Sequence, residues 1–335
     1  MIQREEVVSS MRAAITENPT RPVRRVYNEC IVLDSSSDDD DIVVSRPQFA
    51  EVSTSLNRYR SKFYPPIPRS TRDVFVRGDW KKTWGGTEFV VHQDRQWGLL
   101  IFMSEKCAVK LQQCTDIYVD GTFSTCPKPY KQIVSIHGKY RDRVLPMSFC
   151  MLSSKSTALY REMFQQLKNH VKRLTGNDLT PTRAVCDFEI SLITSIQSEF
   201  PQTTVHGCFF HFCQSLWRKV QELGLTIAYR QNRSVKKVIR KIMSLGYLPA
   251  AVVRMTFNLI YSSRSVSHLL NTVPALREFI TYFQQNYISG IFKPALWNVF
   301  DRDVDFRTNN HVEGLFIFFC NFFPKKMLHC CYILL

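Results

Sequence analysis

No stretch of this 335-residue chain runs for about 18 apolar residues, the length a membrane-spanning helix needs, so no such helix and no membrane partner are expected. There is no CxxC pair. Eleven cysteines, odd in number and irregularly spaced, do not make a disulfide framework, and reduced thiols inside a cell are the expected state. The opening MIQREEVVSSMRAAITENP is too polar to act as a secretory signal. Carboxylates are also scarce: 29 Asp and Glu face 44 Lys and Arg, a formal net charge of +15. That imbalance favours an anionic partner, with nucleic acid ahead of a membrane surface. What remains is an ordinary globular composition, 44% hydrophobic and 22% charged.

Three regions differ in texture. Residues 1–72 lack sustained periodicity and contain DSSSDDDD, Asp34 to Asp41, a like-charge block expected to keep the region disordered. RPVRR, Arg21 to Arg25, reads either as a nuclear import signal or as a chance cluster in a basic chain. Residues 73–112 mix aromatic and β-branched residues with Gly and Asp, predicting a small β-rich module in which Trp80, Trp84 and Trp97 share a core, with base stacking as the lesser alternative. From 113 to 335 the pattern becomes regular. TDIYVDGTF (115–123), QIVSIHGKY (132–140) and RVLPMSFCML (143–152) follow at hairpin spacing and predict an antiparallel meander. Leu159, Met163, Leu167, Val171 and Leu174 then recur at helical spacing. A strand at 183–188, a helix, a strand at 203–210 and another helix complete the series. Three strands followed by alternating helices and strands predict an α/β fold, a mixed sheet flanked by helices in the RNase H-like order. Residues from about 213 to 300 read as a helical insertion ahead of a last helix at Glu313.

Within that order three carboxylates stand where rigid elements could bring them together: Asp120 on the first strand of the meander, Asp187 at the end of the fourth strand, and Glu313 on the late helix. Carboxylates converging from rigid elements can hold two divalent cations for phosphodiester chemistry. Each also has a plain structural reading: Asp120-Gly121 as a turn, Asp187 as a helix N-cap, and Asn310 to Glu313 as a capping box. Cys208 and His211 have metal-ligand spacing, but a zinc site needs about four ligands; a buried Cys beside a helix-starting His is the competing reading. Trp217, Arg218, Lys219, Lys236, Lys237, Arg240 and Lys241 form basic runs able to track DNA phosphates, or simply solvated helix faces.

YVDGTF at 118–123, Pro146, Tyr160 with Phe164, CDFE at 186–189, FPQTTVHGCFFHFCQSLWRKV at 200–220 and RTNNHVEG at 307–314 together resemble the transposase domain of Mutator-like elements. The resemblance runs from about 113 to 314. It implies an RNase H-like core with a DDE triad at Asp120, Asp187 and Glu313, two Mg²⁺ or Mn²⁺ ions, and cleavage and strand transfer of double-stranded DNA at terminal inverted repeats and a target. It also implies a nuclear, homo-oligomeric active form and matches the family's Cys-x-x-His pair at Cys208 and His211. After Glu313-Gly314 the family continues with an aromatic-His pair and an amphipathic helix, whereas this chain reads LFIFFCNFFPKKMLHCCYILL. An N-terminal zinc module has no ligand pattern in 1–112, where Cys30, Cys107 and His92, with Cys114 just beyond, stand alone. A decayed or host-recruited DNA-binding relative without catalysis is therefore the alternative.

Overall fold

A computed structural model describes residues 2–19, 21–34, 47–63, 68–83, 85–122, 126–303 and 307. The N-terminal region departs from expectation. Three helices, α1 (Ile2–Glu17), α2 (Val23–Asp34) and α3 (Phe49–Ser61), bury Val7, Met11 and Ile15 against Val23, Val26, Val52 and Leu56. Helices this short are marginal alone, and these are held by one another. Each contributes only two or three buried apolar residues, which is why no periodic signal stood out. Arg25 of the RPVRR run pairs with Glu29 at 2.8 Å along α2. The acidic block after Asp34 lies outside the described residues.

The next region also departs from the expected separate module. Strands β1 (Val90–Asp94) and β2 (Leu99–Phe102) form a hairpin, and β2 continues antiparallel onto the main sheet, so this region extends that sheet. Trp97 is half exposed and takes no part in a core. Trp84 and the side chain of Trp80 lie outside what is described. Helix α4 (Glu105–Gln112) follows, capped by Ser104.

The regular part follows the expected order. Strands β3 (Asp116–Thr122), β4 (Gln132–Tyr140) and β5 (Arg143–Leu152) form the meander. Helix α5 (Thr157–Thr175) starts at the Ser156 cap and stops at Gly176, whose φ of 73° suits a residue without Cβ. Strand β6 (Arg183–Cys186), helix α6 (Ile190–Glu199) and strand β7 (Thr204–Gly207) complete the sheet, in the order β1-β2-β5-β4-β3-β6-β7. β6 pairs parallel with both β3 and β7. One sheet face carries Ile117, Val119, Val134, Ile136, Ala184 and Cys186 against Ala108, Leu111, Leu159, Met163, Phe164, Leu192 and Ile196 of α4, α5 and α6. Fully burying each large side chain contributes about 1.5–3 kcal/mol. The other face carries Tyr118, Val185 and Cys208.

After β7 the described chain is helical: α7 (Phe209–Glu222), α8 (Thr226–Gln231), α9 (Arg233–Ser244), α10 (Ala250–Ser262), α11 (Arg264–Thr272), α12 (Pro274–Phe283), a π-helical turn (Gln284–Ile288) and α13 (Pro294–Trp297). These build their own core around Phe212, which stacks on the fully buried Trp297 with ring centres 4.7 Å apart. Among the described residues no helix is long and apolar enough to cross a membrane, and the eight described cysteines are all unbridged.

Candidate metal centre

Parallel pairing sets this site. β3 and β6 align Tyr118 with Val185 and Val119 with Cys186. One residue further along each chain stand Asp120 and Asp187. The register is held at the opposite end by Arg183, which donates to both carboxylate oxygens of the buried Asp116 at 2.6 and 2.8 Å. A one-residue slip would send Asp120 to the other sheet face. β7 lies on the far side of β6, with Gly207 beside Cys186. The Cys208 N–H donates to the Cys186 carbonyl at 2.9 Å, and α7 begins at once, so His211 falls in its first turn.

The result is a convergence at the C-terminal edge of the sheet. One ligand atom from each of Asp120, Asp187 and His211 lies within 4.8 Å of the others. Asp120 is only 5% exposed, and the side chains of Asp187 and His211 are 23% and 20% exposed. His211 Nδ1 lies 2.6 Å from Asp187 Oδ1. Two carboxylates this close repel by on the order of 3 kcal/mol at the effective dielectric of a protein. A shared cation, or a proton on the imidazole, relieves that repulsion. The donor set therefore fits a divalent cation, with two carboxylates supplying charge and the imidazole a third donor. The two carboxylates suit Mg²⁺ or Mn²⁺, and the imidazole would also suit a nitrogen-accepting ion such as Zn²⁺.

The geometry removes two structural readings. Asp120 and Gly121 are paired inside β3, opposite Ser135 and Val134, so they form no turn. The N-cap of α6 is Glu189, leaving Asp187 without that task. The Cys208–His211 pair is split: Cys208 is fully buried beside Tyr118 and Val185, and among the described residues it does not join the donor group. Spacing alone had linked His211 to Cys208; the strand order turns it toward Asp187. Glu313 lies outside the described residues. Of the candidate DNA-binding residues, Trp217 packs edge-on against Tyr229 and Lys219 pairs with Glu222, while Arg218, Lys236, Lys237, Arg240 and Lys241 are exposed.

Neighbouring residues hold the site in place. Phe188, next to Asp187, lodges among Phe212, Tyr287 and Phe292 of the insertion. It lies so close over β7 that a Cβ on Gly207 would come within 2.4 Å of its ring. Next to Phe188, Glu189 accepts from the Tyr160 hydroxyl at 2.8 Å and pairs with Lys155 at 3.3 Å. Burial, joined by the nearby Glu189 and Asp187 charges, pushes the Tyr160 phenol above its ordinary range against a hydrogen bond from Gln132, so it stays a donor. Arg302, buried, donates to the Gly207 carbonyl at 2.8 Å. Burial pulls it down to about 10, which leaves it charged at neutral pH. The Phe209 N–H donates to the Arg307 carbonyl at 2.9 Å, bringing residue 307 to the start of α7.

Comparison with curated proteins finds no match. Residues 117–215 match the family model of the MULE transposase domain. That segment begins at the second residue of β3, ends inside α7, and contains Asp120, Asp187 and His211. A transposase-related function, with DNA as the general partner and divalent metal use, follows from the match. Over this segment the chain resembles the transposases of Mutator-like elements.

Proposed function

We propose that this protein is a DDE-type transposase that cleaves double-stranded DNA at element ends and joins it to a target, with Asp120 and Asp187 as its two aspartates. The observation that carries this is the meeting of Asp120, Asp187 and His211, all within the matched segment, to within 4.8 Å at the sheet edge. Mg²⁺ or Mn²⁺ bound there would supply charge stabilisation at a phosphoryl oxygen and an activated attacking group. The chain's own contribution is placement. Parallel register aligns the two aspartates, Phe188 anchors the turn after Asp187, and the burial of Asp120 excludes water. His211, with Nδ1 2.6 Å from Asp187 Oδ1, holds that carboxylate in place beside Asp120.

Glu313 is assigned as the third carboxylate. Supporting this, the hydrogen bond to Phe209 puts Arg307 beside α7, and Glu313 follows six residues later, within a chain reach of about 20 Å. Three described donors suffice for one cation; a second calls for the extra carboxylate. Nuclear location and a homo-oligomeric active form belong to the same proposal.

The test is to incubate the protein with duplex DNA carrying the ends of its own element and Mg²⁺ or Mn²⁺. Nicked and joined products are expected from wild type and not from Asp120→Asn or Asp187→Asn. Wild type that binds this DNA without cutting it in either metal would leave the non-catalytic DNA-binding alternative standing instead.

A further inference from the structure

From Leu223 to Arg277 the chain contains no Asp or Glu and nine Lys and Arg. The segment spans α8, α9, α10, α11 and the start of α12. All nine cations, Arg230, Arg233, Lys236, Lys237, Arg240, Lys241, Arg254, Arg264 and Arg277, are exposed, and none of them makes an ion pair among the described residues. Most of the net charge of +15 is thus carried by one part of the insertion.

The concentration is greatest on α9. Its Val235, Val238, Ile239 and Ile242 are buried in the insertion core. Arg233, Lys236, Lys237, Arg240 and Lys241 occupy the opposite side, within an arc of about 140° at 3.6 residues per turn and over a length of about 12 Å. Asn232 caps the helix, accepting from the Ser234 and Val235 N–H groups at 2.9 and 3.2 Å, so the face is presented by a well-started helix. The elements packed on it, α8, α11 and the turn at Leu245–Tyr247, bring no carboxylate to neutralise it.

We propose that the exposed face of α9 is a binding surface for the phosphate backbone of duplex DNA, separate from the metal centre. It rests on the function above only in taking DNA as the partner. A rigid row of unpaired cations suits a regular line of phosphates, and such contacts position a duplex without reading its sequence. A membrane surface fits less well. Interfacial helices need an apolar side free to enter lipid, and that side of α9 is already buried in the protein core.

The experiment uses the full chain, a fluorescein-labelled 30-bp duplex of arbitrary sequence, and EDTA, with anisotropy read across a KCl series. Replacing Lys236, Lys237, Arg240 and Lys241 together by Ala should weaken binding at least about tenfold. It should also make the log–log salt slope shallower by about 3–4, near 0.9 for each lost phosphate contact. Alanine favours helix, so the melting temperature should hold. A control variant with Lys106, Arg141, Arg143 and Lys172 changed to Ala should keep the wild-type slope. Binding is read in EDTA, where no cleavage occurs, so absent cleavage would not touch this proposal. It is overturned if the α9 variant keeps the wild-type slope, or if the control loses as much. It is equally overturned if wild type binds phosphatidylserine vesicles and not the duplex.

Discussion

At the C-terminal edge of β3, β6 and β7, two carboxylates and an imidazole are drawn within 4.8 Å and largely withdrawn from water. On the insertion, nine cations stand exposed with no carboxylate among 55 consecutive residues. The first arrangement is costly without an occupant and needs a rigid frame, which the strand register, Phe188 and Arg302 provide. The second costs little, since the cations stay exposed to water, and it needs only helices with a buried back. Chemistry on a phosphodiester calls for concentrated charge at one point, whereas holding a long polyanion calls for charge spread over a surface. The two regions differ in this way, and they should respond differently to the same perturbations.

The largest difference should appear in turnover. Asp120→Asn should lower metal-dependent cleavage at saturating DNA by at least about 100-fold, the scale of losing one electrostatic contact to the reacting centre. The α9 quadruple alanine variant should raise KM and leave the saturated rate nearly unchanged, because it removes contacts made equally before and during the reaction. A large fall in the saturated rate of the α9 variant would mean the two regions are not separate.

Acid should act on the sheet and spare the insertion. Burial lowers His92 and His170 and drives His137 and His206 down to about 4, and all four sit on the sheet or on α5. The described insertion beyond α7 holds only the exposed His268. These imidazoles are protonated in the unfolded chain below about 6.5 but resist protonation when folded. Their stabilisation is therefore complete above that pH and is lost as pH falls toward 4. For His137, 2% exposed, the loss is about 3 kcal/mol at most. Urea melts between pH 7 and 4 should show this limb, and His137→Leu should flatten part of it.

Gly207→Val pushes a side chain into the Phe188 ring and should destabilise by about 1–3 kcal/mol, with a matching loss of Mn²⁺ affinity at the neighbouring Asp187. Both are readable from a melt and a titration of one sample. Last is Arg183→Met, which removes the register lock and leaves the buried Asp116 carboxylate without that partner. Because the Arg183 side chain is 39% exposed and water can enter, the cost in a thermal melt should be about 1–3 kcal/mol.

Much of this architecture could be read from local pattern. The ranges for β4 and β5 agree with expectation residue for residue, because alternation inside a meander is a local signal. β6 stops two residues early, since Asp187 and Phe188 leave the sheet for the site and the insertion core. β7 yields its last three expected residues to the Cys208 cap and α7. Long-range pairing was not legible: nothing in Leu99–Phe102 says that its partner is Phe149–Leu152. The N-terminal helices were missed because their apolar residues are few and bind only each other. Asp120 and Asp187 could be singled out because their strand positions were visible. His211 in the same site could not be placed without knowing that β7 lies beside β6. The carboxylate-free run from Leu223 to Arg277 was open to view, but its weight depends on all nine cations being exposed.

The most direct measurement is a Mn²⁺ titration followed by the electron paramagnetic resonance of the free ion, comparing wild type with an Asp120→Asn/Asp187→Asn double variant of equal melting temperature. Wild type should deplete the free-ion signal at a defined site, and the double variant should leave it near that of buffer. Equal depletion by both proteins would contradict a metal centre at the edge of β3 and β6.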